Sequence, residues 1–388
     1  MSFSYQSNYG NPFPNVETTH PLIPREKTYM LDRRIVTVHS EDRDIGKWPN
    51  PNHFEIELPE AMTQVESIRL LDSSFPTNQY VFSHNYQNTK LLFTVTMDAS
   101  DEAYPVWLDV SNQVFTATIE EGFYTPDDLV NEISAKMNRA ITEEMRDLSN
   151  SLDISGYAYS EFTCYYHTVK HKILFGNTRD AFSLELDIQP DYSMHTECYN
   201  KDIWTQSNRW GIGAYLGFEK IAYDSGANPL NQPLVIDYAD ETWMTPDTNK
   251  SVHSIEAPHC LDIFGENQLY MELDKYNGID EIQPYPTNSN AMYNAKYGGR
   301  VNSAFAKIPI IQLPYAQYFD SRNAFLNYMT VFRKPLERIT KLKFTFRYHD
   351  GRLVDFRNMP YSFTIEFNCL RDEVNDARYV RIPATITL

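Results

Sequence analysis

A chain of 388 residues with a formal net charge of −18 repels a polyanion over most of its surface, which disfavours nucleic-acid binding as a general role. Its 27 Tyr and 22 Phe suit pleated surfaces, and 22 Pro against 14 Gly favour extended connections over long helices or glycine-built phosphate cradles. Cys164, Cys198, Cys260 and Cys369 lie too far apart for a zinc motif or a disulfide framework, and read as buried free thiols of a reducing compartment.

Residues 1–30 scatter Phe3, Tyr5, Tyr9 and Phe13 among Ser, Asn, Gln and Pro without a period of 2 or 3.6. Such a segment cannot bury enough of itself to order alone, and reads either as a disordered tail or as an extended arm that lays its rings on a neighbouring subunit. It lacks the basic flank and apolar core of a signal peptide, and no run in the chain reaches the ~18 apolar residues of a membrane span. Synthesis on ribosomes open to the cytosol is therefore expected.

Arg34 to Ser40 alternates as a strand and leads into the acidic loop Glu41 to Asp44. Pro49, Asn50, Pro51 and Asn52 then form a stiff turn, followed by a strand with Phe54, Ile56 and Leu58 inward and Glu55 and Glu57 outward. Pro59 should end that strand, and Val65 to Leu71 should form a second one before Pro76. Short strands are expected at Gln79–Phe82, Leu91–Met97, Val106–Val110 and Val114–Ile119. The helix is announced by Thr125, which can cap, by Pro126 in the first turn, and by Leu129, Ile133, Met137, Ile141 and Met145 at every fourth position. Strand patterning returns at Phe162–Tyr166, Lys172–Phe175 and Phe182–Ile188, and Trp210–Phe218 closes the module with glycines.

Beyond the linker-like Ala227–Pro233 lie strands at Leu234–Tyr238, Leu261–Phe264, Leu269–Leu273, Phe305–Leu313, Ile339–Tyr348, Leu353–Phe356 and Ser362–Leu370. Asp350-Gly351 should fold Lys343–Tyr348 back on Arg352–Arg357. Residues 283–300 read as a long surface loop. The expected fold is mainly β: a jelly-roll-type antiparallel sandwich with a smaller α+β module carrying one amphipathic helix. The preferred division takes residues 31–110 with 231–388 as the sandwich and 111–230 as the inserted module; the alternative is two sequential β domains, 31–226 and 227–388.

Charge is segregated. Asp98 to Asp128 holds eight acids and no base, whereas Arg333 to Arg357 holds eight bases against three acids. Complementary patches of this kind would orient neighbours in an assembly. The candidate interaction residues are accordingly Phe3, Tyr5, Tyr9 and Phe13 of the arm, with Arg333, Lys334, Arg338, Lys341, Arg352 and Arg357. The rings of Phe344, Phe346 and Tyr348 alternate with bases, but the alternation turns them inward and away from a nucleic acid.

No spacing builds a catalytic centre. Gly211, Gly213 and Gly217 miss the dinucleotide fingerprint, and His167 and His171 lie roughly 13 Å apart if extended, too far for one ion. Glu41, Asp42, Asp44 and Asp72 match no cation loop and read as turn acids. No catalytic, metal or cofactor residue is expected. A carbohydrate-binding sandwich remains a rival, since the aromatic side chains could stack on sugars.

The ordered pieces WPNPNHFEIELP (Trp48–Pro59), VESIRLLDSSFP (Val65–Pro76), IEEGFYTPDDLVNEISAKMN (Ile119–Asn138), AYLGF (Ala214–Phe218), KLKFTFRYHDGRLVDF (Lys341–Phe356) and YSFTIEF (Tyr361–Phe367) resemble minor capsid proteins of large nucleocytoplasmic DNA viruses. The resemblance implies a non-enzymatic virion protein that cements neighbouring capsomers in an icosahedral shell. Its implied partners are the major capsid protein, other minor capsid proteins and copies of itself, with no specific nucleic acid and no membrane span. A vertex, penton or fibre-base protein is the alternative within the same class.

Overall fold

The computed structural model describes residues 31–76, 80–97, 110–148, 158–192, 204, 209–236, 241–282, 301–310, 318–320, 329–349 and 351–370. The arm with Phe3, Tyr5, Tyr9 and Phe13, the strand expected over residues 106–109, Cys198 and the loop 283–300 lie outside these.

In chain order the first elements are β1 (Leu31–His39), β2 (His53–Pro76), β3 (Lys90–Thr96), β4 (Val114–Thr118), α1 (Pro126–Leu148), β5 (Phe162–His167), β6 (Lys172–Asn177) and β7 (Ala181–Glu185). A short helix α2 (Ile212–Tyr215) follows, then β8 (Ala222–Asp224), β9 (Gly226–Ala227), β10 (Leu234–Ile236), β11 (Glu241–Met244) and β12 (His253–Glu256). The last are β13 (Gln268–Leu273), β14 (Ile279–Ile282), β15 (Val301–Ala304), β16 (Ala306–Pro309), β17 (Tyr318–Asp320), β18 (Met329–Arg347) and β19 (Ser362–Leu370). Every described pairing is antiparallel. The protein is mainly β, a jelly-roll-like antiparallel architecture with few helices, as its composition and alternation imply.

A seven-stranded sheet in the order β1-β19-β2-β18-β13-β16, with β17 also on β2, joins the beginning of the described chain to its end. Its core contains Phe54, Phe75, Phe344, Phe346, Phe363 and Phe367, all at most 1% exposed. The expectation that Pro59 ends a strand is wrong: β2 runs unbroken for 24 residues. The physical reason lies in the register. Lys341 pairs with Glu57 and Ile339 with Met62, so Leu58 to Ala61 face Thr340 alone, and the proline sits in a bulge where no donor is required. Pro335 occupies a second break in the same ladder, between the pairs Val331–Ser67 and Leu336–Val65. Strand β18 accordingly begins at Met329, ten residues ahead of the expected Ile339.

Three further expectations fail. Leu261–Phe264 is not a strand, and Tyr80–Phe82 and Leu353–Phe356 contribute only the isolated bridges Phe82–Gly122 and Arg347–Leu353. The fold-back at Gly351 is present, with φ of 90° and the Tyr348 amide donating to the Arg352 carbonyl at 2.8 Å.

A second hydrophobic core draws on residues from Val81 to Ile263. Two four-stranded sheets surround it, β4-β3-β7-β8 and β5-β6-β12-β9. Helix α1 turns Leu129, Ile133, Met137, Ile141 and Met145 into this core, each at 0% exposure. Thr125 caps it as the sequence implies, accepting from the Asp128 amide at 3.2 Å and donating to the Asp128 carboxylate at 2.6 Å. The same helix covers the edge of β5 with a polar row spaced four residues apart. Ser134 accepts from the Cys164 amide at 2.8 Å, and Thr142 accepts from the Tyr159 amide at 3.0 Å. Between them Asn138 bonds both the amide and the carbonyl of Phe162, at 3.0 and 2.9 Å. A sheet edge that would otherwise be open is closed from the side.

Candidate interaction surface

The eight bases between Arg333 and Arg357 separate into two groups. Arg333, Lys334 and Arg338 are exposed on β18 and form no ion pair with any described residue. Lys341 is exposed but answered within its own sheet, 2.8 Å from Glu57 and 3.5 Å from Glu55. The hydrogen bond with Glu57 raises the Lys341 pKa and lowers that of Glu57.

Of the remaining bases, Lys343 is half-buried, Arg357 is exposed, and Arg347 and Arg352 serve the interior. Arg347 is buried between Glu272 and Glu281. Arg352 corrects the sequence reading, because it is 1% exposed and cannot form part of a surface patch. Its Nη2 donates to Glu266 at 2.8 Å, and its guanidinium lies 4.8 Å from the Tyr86 ring centre and 5.5 Å from that of Tyr348. Burial pushes the phenol pKa of both tyrosines up, so each stays neutral beside the cation. Arg357 stacks on Tyr80 at 4.0 Å and pairs with Glu121 at 3.3 Å. Glu121 belongs to the acidic stretch, so here the segregated charges meet inside one chain. Although burial pushes the Glu121 carboxyl up, the His84 amide and Arg357 outweigh it and hold the pKa below its usual value.

These contacts form a joint between the two cores. Glu266 lies between Arg352 on one side and Arg209 on the other, and Arg209 also reaches Asp262 at 2.9 Å and the Gly265 carbonyl at 2.9 Å. Asn85 bonds Asp355 across the same boundary at 3.3 Å. No motif in the sequence announces this joint, since Glu266 and Arg352 are 86 positions apart.

Phe344, Phe346 and Tyr348 are buried, so they offer no stacking platform. His167 is buried, its Nδ1 accepting from the amides of Val169 and Lys170, while His171 bonds Tyr166 at 2.7 Å. Asp42 and Asp44 accept from the amides of His39 and Gly46, as turn acids do. Cys164 and Cys369 are buried free thiols, but Cys260 is exposed, contrary to the expectation for all four. Among the described residues no three His, Cys, Asp or Glu side chains gather as metal ligands, and no helix is long and apolar enough to cross a membrane.

The fold and surface thus define a mainly β protein with a basic strand. A family of unknown function (DUF5901) matches residues 23–157. No curated protein matches the chain. Among solved structures, the chain is similar to the mavirus penton protein, at 11% identity and a TM-score of 0.38, covering 88% of this chain and 100% of that one. It is also similar to a chain from the cryo-EM structure of the Sputnik virophage, at 9% identity and a TM-score of 0.31, covering 87% and 98%.

Proposed function

We propose that this protein is a non-enzymatic building element of a virus shell, in which it fastens neighbouring capsomers to one another. The ordered sequence pieces that resemble minor capsid proteins support the class. The observation that carries the reading is the state of β18: Met329 and Val331 are half exposed, and Arg333, Lys334 and Arg338 beyond them have no ion-pair partner among the described residues. In a chain of net charge −18, uncompensated cations beside exposed apolar side chains suit an acidic partner surface that buries both. The major capsid protein is the partner the resemblance implies, and the virion is the implied location.

The experiment is particle incorporation. Purified particles from cells making the triple variant Arg333→Glu, Lys334→Glu, Arg338→Glu should contain much less of the chain than those made with the natural sequence, with thermal stability unchanged. Normal incorporation of the variant would remove β18 as the docking strand. A chain absent from particles altogether would remove the shell reading itself.

A further inference from the structure

The large sheet has a second face, turned away from its aromatic core. Residues opposite one another in an antiparallel ladder project from the same side, so the register lays out this face in rows across β1, β19, β2 and β18. One row reads Ile35, Glu366, Arg69, Met329, and its neighbour reads Arg33, Asn368, Ser67, Val331. Ile35, Met329 and Val331 are each about half exposed. With strands ~4.8 Å apart, Ile35 and Met329 stand roughly 14 Å from each other. Exposed apolar side chains therefore flank a polar centre on one surface.

Within that centre the charges are unequally answered. Glu366 is buried and both of its oxygens are taken: Oε2 by Nε and Nη2 of Arg33, at 2.6 and 2.5 Å, and Oε1 by the Asn368 amide group at 3.2 Å. The same amide group donates to Ser67 at 3.1 Å. Arg69, next in the row, has neither an ion pair nor a hydrogen bond among the described residues, and its Nε is closed off from solvent without an acceptor. Asp72, which projects from the same face opposite Thr364, does not pair with it.

A guanidinium that has already lost part of its hydration has less to lose when a partner covers it, and a carboxylate placed edge-on answers it with two bonds. The neighbouring Arg33–Glu366 pair is neutral as a unit and adds little repulsion. Covering Ile35, Met329 and Val331 at the same time removes apolar surface from water. A second copy of the chain suits this face less well. Stacking the face on itself would set Arg69, and the unpaired Arg333, Lys334 and Arg338 that continue along β18, against a second surplus of cations.

We propose that the outer face of β1-β19-β2-β18 receives an acidic segment of another virion protein, whose carboxylate pairs with Arg69 while apolar side chains on either side of it cover Ile35 and the Met329–Val331 pair. This assigns the chemistry of the partner that docks on the basic strand, and so rests on the proposed shell role.

Photocrosslinking in purified particles tests it, with p-benzoylphenylalanine in place of Ile35 in one full-length chain and of Met329 in another. Both probes should join to one segment of a protein other than this chain, and that segment should carry Asp or Glu between apolar residues. Arg69→Glu should lower the yield from both probes by ~10-fold or more, because a covered ion pair becomes a repulsion. Arg69→Gln, which removes the charge without reversing it, should lower the yield less; if Arg69→Glu melts earlier than the natural chain, Arg69→Gln decides alone. Particles that contain the chain while the probes join only to its own copies, to a segment without acids or to nothing overturn the inference and leave the shell role standing, as does a yield indifferent to Arg69. A chain absent from particles removes the shell role, and the inference with it.

Discussion

Arg352 stacks on Tyr86, guanidinium carbon 4.8 Å from the ring centre, although 266 positions separate the two residues. The contact puts a cation with 1% exposure at the boundary of two hydrophobic cores, where its charge is answered by Glu266. Replacing Arg352 by Met would keep much of its volume and leave the Glu266 carboxylate with Arg209 as its remaining cation. Breaking a buried pair from one side costs about 3–5 kcal/mol. Glu266 retains some solvent contact, so the lower end is expected for Arg352→Met in urea denaturation. Adding Glu266→Gln should recover part of the loss, because the carboxylate that has lost a cation is then neutral.

The Asn138 side chain replaces a neighbouring strand at Phe162 by bonding both its amide and its carbonyl. Asn138→Leu should therefore leave two backbone groups unpaired under the helix, at about 1–3 kcal/mol for each group left fully buried. The distinguishing measurement is hydrogen exchange: the Phe162 amide should lose protection well beyond any global destabilisation. Asn138→Asp should preserve the bond from that amide and lose the bond to the carbonyl.

Helix α1 was the most legible element, since a cap at Thr125 and an apolar residue at every fourth position leave few other conformations. Its polar row was not legible, because Ser134, Asn138 and Thr142 bond backbone groups of β5 and the segment before it, and side-chain type does not name a distant amide. Pro59 misled for a related reason. A proline ends a strand or sits in a bulge according to the register of its partner, and that register is set by β18, almost 300 residues away. The charge count between Arg333 and Arg357 located a basic segment correctly but not its faces: Arg347 and Arg352 are internal, Arg333 and Arg338 external.

The division into a sandwich built from both ends of the chain and an inserted module stands as a proposal with a direct test. Strands β1 and β2 pair with β18 and β19, and Gly226–Ala227 pair with His253–Ser254 across the turn near residue 230. A single proteolytic cut at that turn should give two fragments on a denaturing gel that co-elute under native conditions. Separation of two folded pieces would favour the sequential arrangement, 31–226 and 227–388.

Burial raises the Asp180 carboxyl from 3.8 to about 6, against the hydrogen bond donated by Tyr159 at 2.8 Å. Tyr159 is itself held by the Asn177 amide group at 2.8 Å, so the carboxyl cannot turn to water without breaking a buried chain of bonds. A folded-state pKa above the unfolded value means that the folded protein binds the proton more tightly. The contribution to stability is fully present below pH ~4 and is lost as pH rises through about 6, a change of roughly 3 kcal/mol for a two-unit shift. Asp180→Asn should flatten this part of the curve, since an amide can occupy the site without ionising. Denaturant melts of both proteins between pH 4 and 7 decide the matter: the natural chain should lose stability relative to Asp180→Asn as pH rises, and parallel curves would show that Asp180 does not titrate in this window.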